Sequence, residues 1–149
     1  MLFKRLNRTD AERVFSVFKA NAAGIAADDV VALELTAASL DGVNITGPVS
    51  TTDINNLFSV VGIADAAIAN GAYGLVQIYG YRSTSRVLQT GTSLTAGLTI
   101  LAPVAAQDYL SSGATVPGGY LPAFVLLNSQ SSAPGANSTV SAKIFIRTM

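Results

Sequence analysis

Short runs of β-branched and other apolar residues, separated by Gly, Pro, Asn and Ser, follow one another along the whole chain. Short apolar runs bounded by turn-forming residues are typical of β-strands. We therefore expect an all-β fold, either a small β-barrel or a sandwich with short strands. The pattern predicts strands at residues 14–19, 30–35, 43–46, 58–64, 74–81, 86–89, 99–102, 123–128 and 139–147.

Two segments favour helix, so at most one or two short helices are expected beside the strands. Thr9 and Glu12 match a capping box, and the charge of Asp10 favours a helix N-terminus at the same place. Pro103 precedes an Ala-rich stretch, residues 104–110, that is compatible with one or two helical turns.

Three short segments resemble one another, at residues 25–28, 68–71 and 94–97. Each has an apolar residue, a pair of small residues and a turn former, and each leads into a predicted strand. No fixed period separates them. We therefore expect equivalent corners of one barrel and not a true repeat.

Charge is scarce and unevenly distributed. The 149 residues hold nine bases and nine acids, and residues 109–142 hold neither. Residues 1–19 carry five bases and two acids, a net +3, which leaves −3 for the remainder. This predicts a basic arm with the first strand (1–19) ahead of a single barrel-like domain (20–149). Because so few charges cover the body, we expect other protein to cover much of its surface.

The residue types available for chemistry are few. The chain has no His, Cys or Trp, which excludes thiolate zinc sites, disulfides and the usual general base. Asp28 and Asp29 lie in a predicted turn, where a conformational role outweighs an acid/base pair. With Glu34 they are too few for a calcium loop. We expect no catalytic residue, no cofactor and no metal, and hence no enzyme.

The apolar runs at 57–64 and 98–106 are short and interrupted, so no membrane contact is expected. Residues 1–10 lack the apolar region of a secretory signal, which predicts a chain that is made in the cytoplasm and is not secreted. Leu2, Phe3 and Leu6 interrupt the basic arm, and no basic patch continues into the body. Direct binding of nucleic acid is therefore not expected.

The stretch GAYGLVQIYGYR (71–82), followed by LTAG (94–97) and LAP (101–103), resembles the decoration (cement) proteins of tailed-bacteriophage heads. The opening is similar to them too, with an apolar strand at 13–19 and turn formers at 24–29 and 41–43. The resemblance implies a β-barrel on the capsid exterior of the virion that stabilises the shell by bridging major capsid subunits. It also implies a homotrimer.

Within that resemblance, the arm is expected to extend over a neighbouring capsid subunit. Its apolar residues would anchor it and its bases would meet capsid carboxylates. Two strand tyrosines on an outer face, and the uncharged segment 109–142, would supply contacts between decoration subunits. The predicted capsid contacts are Phe3, Lys4, Arg5, Leu6 and Arg8, and the predicted subunit contacts are Tyr79, Tyr81, Tyr109 and Tyr120.

Two other functions remain open. One is a phage tail or receptor-binding β-module whose Ser- and Gly-rich loops contact host surface glycans. The other is an enzyme that uses carboxylates alone, such as a glycosidase, which needs paired acids flanking a cleft. The sequence favours the enzyme least.

Overall fold

The computed structural model describes residues 12–21, 24–35, 42–47, 59–90, 93–104, 107–112, 124–129 and 138–148. Every regular element in these ranges is a β-strand, which confirms the all-β expectation. The strands are β1 (Arg13–Ala20), β2 (Val30–Leu33), β3 (Asn44–Thr46), β4 (Val60–Ala64), β5 (Tyr73–Arg82), β6 (Arg86–Gln89), β7 (Ile100–Pro103), β8 (Leu110–Ser111), β9 (Phe124–Leu126), β10 (Ser138–Ser141) and β11 (Ile144–Arg147).

Each predicted strand coincides with an observed one. The last prediction divides into β10 and β11, separated by Ala142 and Lys143. The sequence did not indicate β8, because two residues are too short to show an alternation. The described residues of the expected helix at 104–110 are not helical: the Gln107 N–H donates to the Val104 carbonyl at 3.2 Å, and β8 begins at Leu110. The possible helix at Thr9 lies outside the described residues.

The first five strands close a barrel, here called the N-terminal barrel. Strand β1 pairs in parallel with β3, β3 is antiparallel to β2, β2 to β4 and β4 to β5. Antiparallel pairing of β5 with β1 completes the circle. Closure leaves these strands without a free edge in the ring.

The remaining strands repeat the same pairings and form what we call the C-terminal module (β6–β11). Strand β6 is parallel to β8, and antiparallel pairs join β8 to β7, β7 to β9 and β9 to β11. Strand β6 also pairs with β10. Strands β10 and β11 together therefore take the place that β5 has in the barrel, and one strand pattern occurs twice in the chain.

The turns before β2 and β7 occupy equivalent places in the two halves. Asp28 has φ 67° and its N–H donates to the Ala64 carbonyl at the end of β4. Gly97 has φ 73° and its N–H donates to the Leu126 carbonyl at the end of β9. The expectation of corners within one barrel was therefore wrong for this pair. The loops between strands differ in length, so the sequence shows no fixed period.

Each half has its own buried cluster, at matching positions of the pattern. At four equivalent positions, the side chain in the C-terminal module is larger than its counterpart in the barrel. By strand pairing, the barrel residues Ala20, Val31, Ala64 and Val76 correspond to Val87, Leu101, Leu126 and Ile144. The barrel cluster is Ala20, Ile25, Val31, Ile45, Ala64, Ile68 and Val76. The other is Val30, Ile63, Val87, Leu94, Leu101, Leu110, Phe124, Leu126, Ala142, Ile144 and Ile146.

Val30 and Ile63 belong to the N-terminal barrel in sequence but to the C-terminal cluster in packing. They lie opposite each other on β2 and β4, and Ile63 lies opposite Gln77 on β5. All three side chains are fully buried. We call these three residues the barrel's outer row, and the contact that it makes with the C-terminal module the junction.

Strand β5 continues through the junction, since its last residues pair with β11. Gly80 is required there. It has φ 100°, and a Cβ at this position would overlap the carbonyl of Glu12 where β1 crosses β5. The close approach and the left-handed backbone together exclude a side chain.

Candidate functional site

Arg82 is the charged centre of the junction. Its Nε donates to Oδ1 of Asp28 at 3.1 Å, and its Nη1 donates to Oδ1 of Asp65 at 3.3 Å and to Oε1 of Gln77 at 3.2 Å. Its Nη2 donates to the Ala64 carbonyl at 3.0 Å. The side chain is only 7% exposed. A buried guanidinium needs this many acceptors, because each unpaired donor costs free energy.

Local structure explains why these acceptors meet at one point. The left-handed turn at Asp28 directs the chain into β2, and Asp65 directly follows β4. The Asp65 N–H donates to the Leu75 carbonyl, which continues the β4–β5 pairing. Both carboxylates therefore lie at one end of the N-terminal barrel, within reach of Arg82.

Arg86 forms a second ionic contact, which crosses between the two halves. Its Nη1 donates to Asp29 at 3.1 Å and to Asp108 at 2.6 Å. Asp29 precedes β2 of the barrel, whereas Asp108 precedes β8 of the C-terminal module. The Val30 N–H also donates to the Asp108 carbonyl at 3.0 Å. The hydrogen bond with Asp108, followed by the charges of both carboxylates, raises the pKa of Arg86 despite partial burial.

Burial raises the pKa of Asp29 above its ordinary value of 3.8. The nearby charge of Asp108 acts in the same direction, whereas the hydrogen bond from the Ala26 N–H and the charge of Arg86 oppose it. Ala26 donates to Oδ2 of Asp29 at 2.7 Å. The predicted conformational role of Asp28 and Asp29 agrees with this geometry.

Neither arginine was among the site residues predicted from the sequence. A signal was present, because Arg82 and Arg86 are the only bases in residues 20–142. Two isolated cations four residues apart in a charge-poor body indicate internal partners more than a solvated face.

The outer surface of the described residues carries several large apolar side chains. Single exposed hydrophobic residues are common on protein surfaces, and these lie on several different strands and loops. The seven residues, with their exposed fractions, are Val17 57%, Leu35 47%, Val43 38%, Tyr73 65%, Leu75 48%, Leu98 80% and Leu127 43%.

The structure places three of the predicted subunit-contact tyrosines, Tyr79, Tyr81 and Tyr109, in half-buried positions. The Tyr79 ring meets Phe145 edge to face, with centroids 5.2 Å apart and an interplanar angle of 82°. These subunit contacts stay a prediction. Tyr120 and the predicted capsid contacts Phe3, Lys4, Arg5, Leu6 and Arg8 lie outside the described residues.

Among the described residues, no three acidic side chains come together in a group suited to hold a metal ion. Among the same residues, no helix has the length and hydropathy to span a membrane.

No family model matches this chain, and no curated protein matches it. Among solved structures, it is similar to the N base of head fiber gp8.5 of bacteriophage phi29, with 11% sequence identity and a TM-score of 0.48. The match covers 92% of this chain and 96% of that one. A likeness this distant shows neither a family nor a function.

Replacing Arg82 by Gln should destabilise the protein by about 3 kcal/mol, because the change removes a buried cation and leaves Gln77 Oε1 without its donor. Arg86→Gln is the matched control. Arg86 is 41% exposed, so its loss should cost only about 1 kcal/mol. Denaturant unfolding of both variants measures the two values. Equal costs would contradict the central role of Arg82.

Asp29→Asn tests the buried carboxyl. Because its folded pKa is raised, folded protein holds this proton more tightly than unfolded chain does. Its contribution to stability is therefore greatest below 3.8 and declines as the pH rises toward the folded pKa. The stability of the natural protein minus that of Asp29→Asn should fall over this acid window and then level off. Denaturant unfolding across a pH series measures it, and a difference that rises with pH would refute the assignment.

Proposed function

We propose that this protein is a structural component of a tailed-phage virion, bound to the outer surface of the head, where it stabilises the shell by bridging major capsid subunits. The proposal combines the sequence resemblance to decoration proteins with the surface of the described residues. It includes a non-enzymatic role.

The observation that carries the proposal is the contrast between the junction and the exterior. The two bases of residues 20–142 are both engaged in internal ion pairs, whereas the exposed side chains include large apolar ones. Burying neutral and apolar surface against a capsid avoids the cost of desolvating unpaired charge. Such an exterior suits a protein that joins others.

The engaged carboxylates support a structural role over a catalytic one. Asp28, Asp29, Asp65 and Asp108 each form an ion pair with Arg82 or Arg86. A general acid or base must reach the proton that it transfers, whereas these carboxylates already accept hydrogen bonds from arginine side chains. These four acids therefore have a structural role in holding the fold together.

The basic arm completes the proposal. Its apolar residues, Phe3 and Leu6, would anchor it on a neighbouring capsid subunit, and Lys4, Arg5 and Arg8 would pair with capsid carboxylates. We also propose that the decoration protein acts as a homotrimer on the capsid exterior, without direct contact to nucleic acid or membrane.

Addition of the purified chain to empty expanded shells of the parent virus tests the function. We expect stoichiometric binding and a higher melting temperature of the shell, since each bound copy adds buried area across a joint. Deletion of residues 2–8 should weaken binding at least about tenfold by removal of the arm contacts. Thermal unfolding of the free deletion variant should stay unchanged.

Co-sedimentation of the chain with shells and calorimetry of the shells measure binding and stabilisation. Shells that neither bind the natural chain nor melt higher would contradict the capsid role. In that event, binding to a glycan array would favour the tail or receptor-binding module. Full binding by the deletion variant would reject only the arm.

A further inference from the structure

At the junction, the outer face of the N-terminal barrel packs on the core of the C-terminal module. The barrel's outer row lies on that face, and its residues Val30 and Ile63 pack in the cluster that also holds Ile144 and Ile146. The two halves share a pattern, so each surface that forms the junction has an equivalent elsewhere in the chain. Some of those equivalents are less buried: Val125, Phe145 and Ile78 are half-buried, whereas Ile63, Gln77 and Ile146 in the junction are fully buried.

The C-terminal module has its own outer row. Ile100 lies opposite Val125, and Val125 lies opposite Phe145. In the barrel, Val30 lies opposite Ile63 and Ile63 opposite Gln77 in the same way. Val125 and Phe145 are only half-buried, whereas Ile63 and Gln77 are fully buried. Leu127 directly follows β9, and Leu98 precedes β7, with exposed fractions of 43% and 80%. We call Leu98, Val125, Leu127 and Phe145 the donor face.

The barrel has the complementary feature, a groove of about 190 Å³ lined by Ser16, Phe18, Val61, Ile78 and Thr148. Four of these five residues offer mainly carbon to the groove, because the Thr148 hydroxyl already bonds the carbonyls of Val61 and Ile78. A cavity of about 150 Å³ accommodates benzene, so this groove has room for an aliphatic side chain.

Two of the groove residues occupy positions equivalent to residues at the junction. Val76 and Ile144 are equivalent, because they lie opposite Ala64 and Leu126 at the ends of β4 and β9. Two residues further on, Ile78 in the groove therefore corresponds to Ile146 in the junction cluster. Ser16 lies opposite Val76, as Arg82 lies opposite Ile144.

We propose that a second copy of this chain binds here, with the donor face of one copy seated in the groove of the next as the barrel is seated on the C-terminal module within each chain. The proposed contact between copies would have the same geometry as the junction within each chain.

The chemistry of the two surfaces is matched. Where the internal junction has Asp65 and Arg82, the equivalent positions of the donor face and the groove hold Leu127 and Ser16. Where it has Asp108, two residues before Leu110, the barrel has Val43 two residues before Ile45, and Val43 is 38% exposed. An ionic contact inside the chain is thus replaced by apolar and small residues at both sides of the external contact.

Such a contact is heterologous, since different surfaces of the two copies meet. Repetition of it produces either a closed ring or an open filament. In a ring of three copies, six strand patterns would follow one another in head-to-tail order. The proposal stands apart from capsid binding, because a chain can associate this way without any shell.

Sedimentation velocity of the full chain at micromolar concentration tests the proposal. The natural chain should form oligomers. Leu127→Asp places a charge on the donor face, and Ser16→Arg places one in the groove. Each should weaken self-association at least about 100-fold, since a lone charge would be buried in an apolar contact.

Mixing the two variants gives the decisive result. The intact donor face of Ser16→Arg fits the intact groove of Leu127→Asp, and the introduced carboxylate can pair with the introduced guanidinium as Asp65 pairs with Arg82. Association should therefore return in the mixture to within about tenfold of the natural chain. A contact that joins donor face to donor face, or groove to groove, would not be restored in this way.

Leu75→Asp is the control, because Leu75 is 48% exposed but lies outside both surfaces. It should associate like the natural chain. Thermal unfolding of every variant shows that it is folded, and Val43→Asp replaces Ser16→Arg if the latter unfolds. A natural chain that stays monomeric up to its solubility limit would overturn the proposal, as would a mixture that remains monomeric.

Discussion

The buried guanidinium of Arg82 is the interaction on which one end of the N-terminal barrel depends, at the point where the C-terminal module joins it. It lies where β5 leaves the N-terminal barrel and begins to pair with β11, and it joins Asp28 and Asp65 to that point. A cation at this depth is stable only with its acceptors in place, so the turn before β2, the end of β4 and the end of β5 must form together. Arg86 extends this constraint to the C-terminal module through Asp29 and Asp108.

Beside this ionic centre, apolar packing joins the barrel to the core of the C-terminal module. Val30 and Ile63, on the outer face of the barrel, complete the cluster of the C-terminal module. The outer row of the strand pattern is therefore buried to different extents in the two halves. In the first, the outer row is buried by the neighbouring half. In the second, the equivalent positions Val125 and Phe145 are half-exposed, and this difference is the basis for the proposed contact between copies.

Much of the fold was predictable from the sequence, because alternation and turn residues determine strands locally. Val76 and Ile78 point inward from β5 while Tyr73 and Leu75 point outward, and the period-2 pattern shows this without a structure. Strand pairing was not predictable, since it depends on contacts between distant residues. The repeat of the pattern was not predictable for the same reason, although segments 25–28 and 94–97 resemble each other in sequence.

The candidate site was also predictable only in part. The conformational role of the Asp28 and Asp29 turn followed from residue type, and the exposed apolar surface followed in outline from the scarcity of charge. The partners of Arg82 and Arg86 did not, because 54 residues separate Arg82 from Asp28 and 22 separate Arg86 from Asp108. The predicted contacts in the arm lie outside the described residues and stay predictions.

Native-state hydrogen exchange tests most directly whether the junction unites the two halves. The Val30 and Ala142 amides, bonded to the carbonyls of Asp108 and Ser85 at 3.0 Å each, report on the junction and on the bend between β5 and β6. If the halves unfold as one unit, both amides should exchange with the same free energy as the best-protected core amides. A clearly lower value at Val30, with protected cores on either side, would show that the halves open independently and would contradict this account.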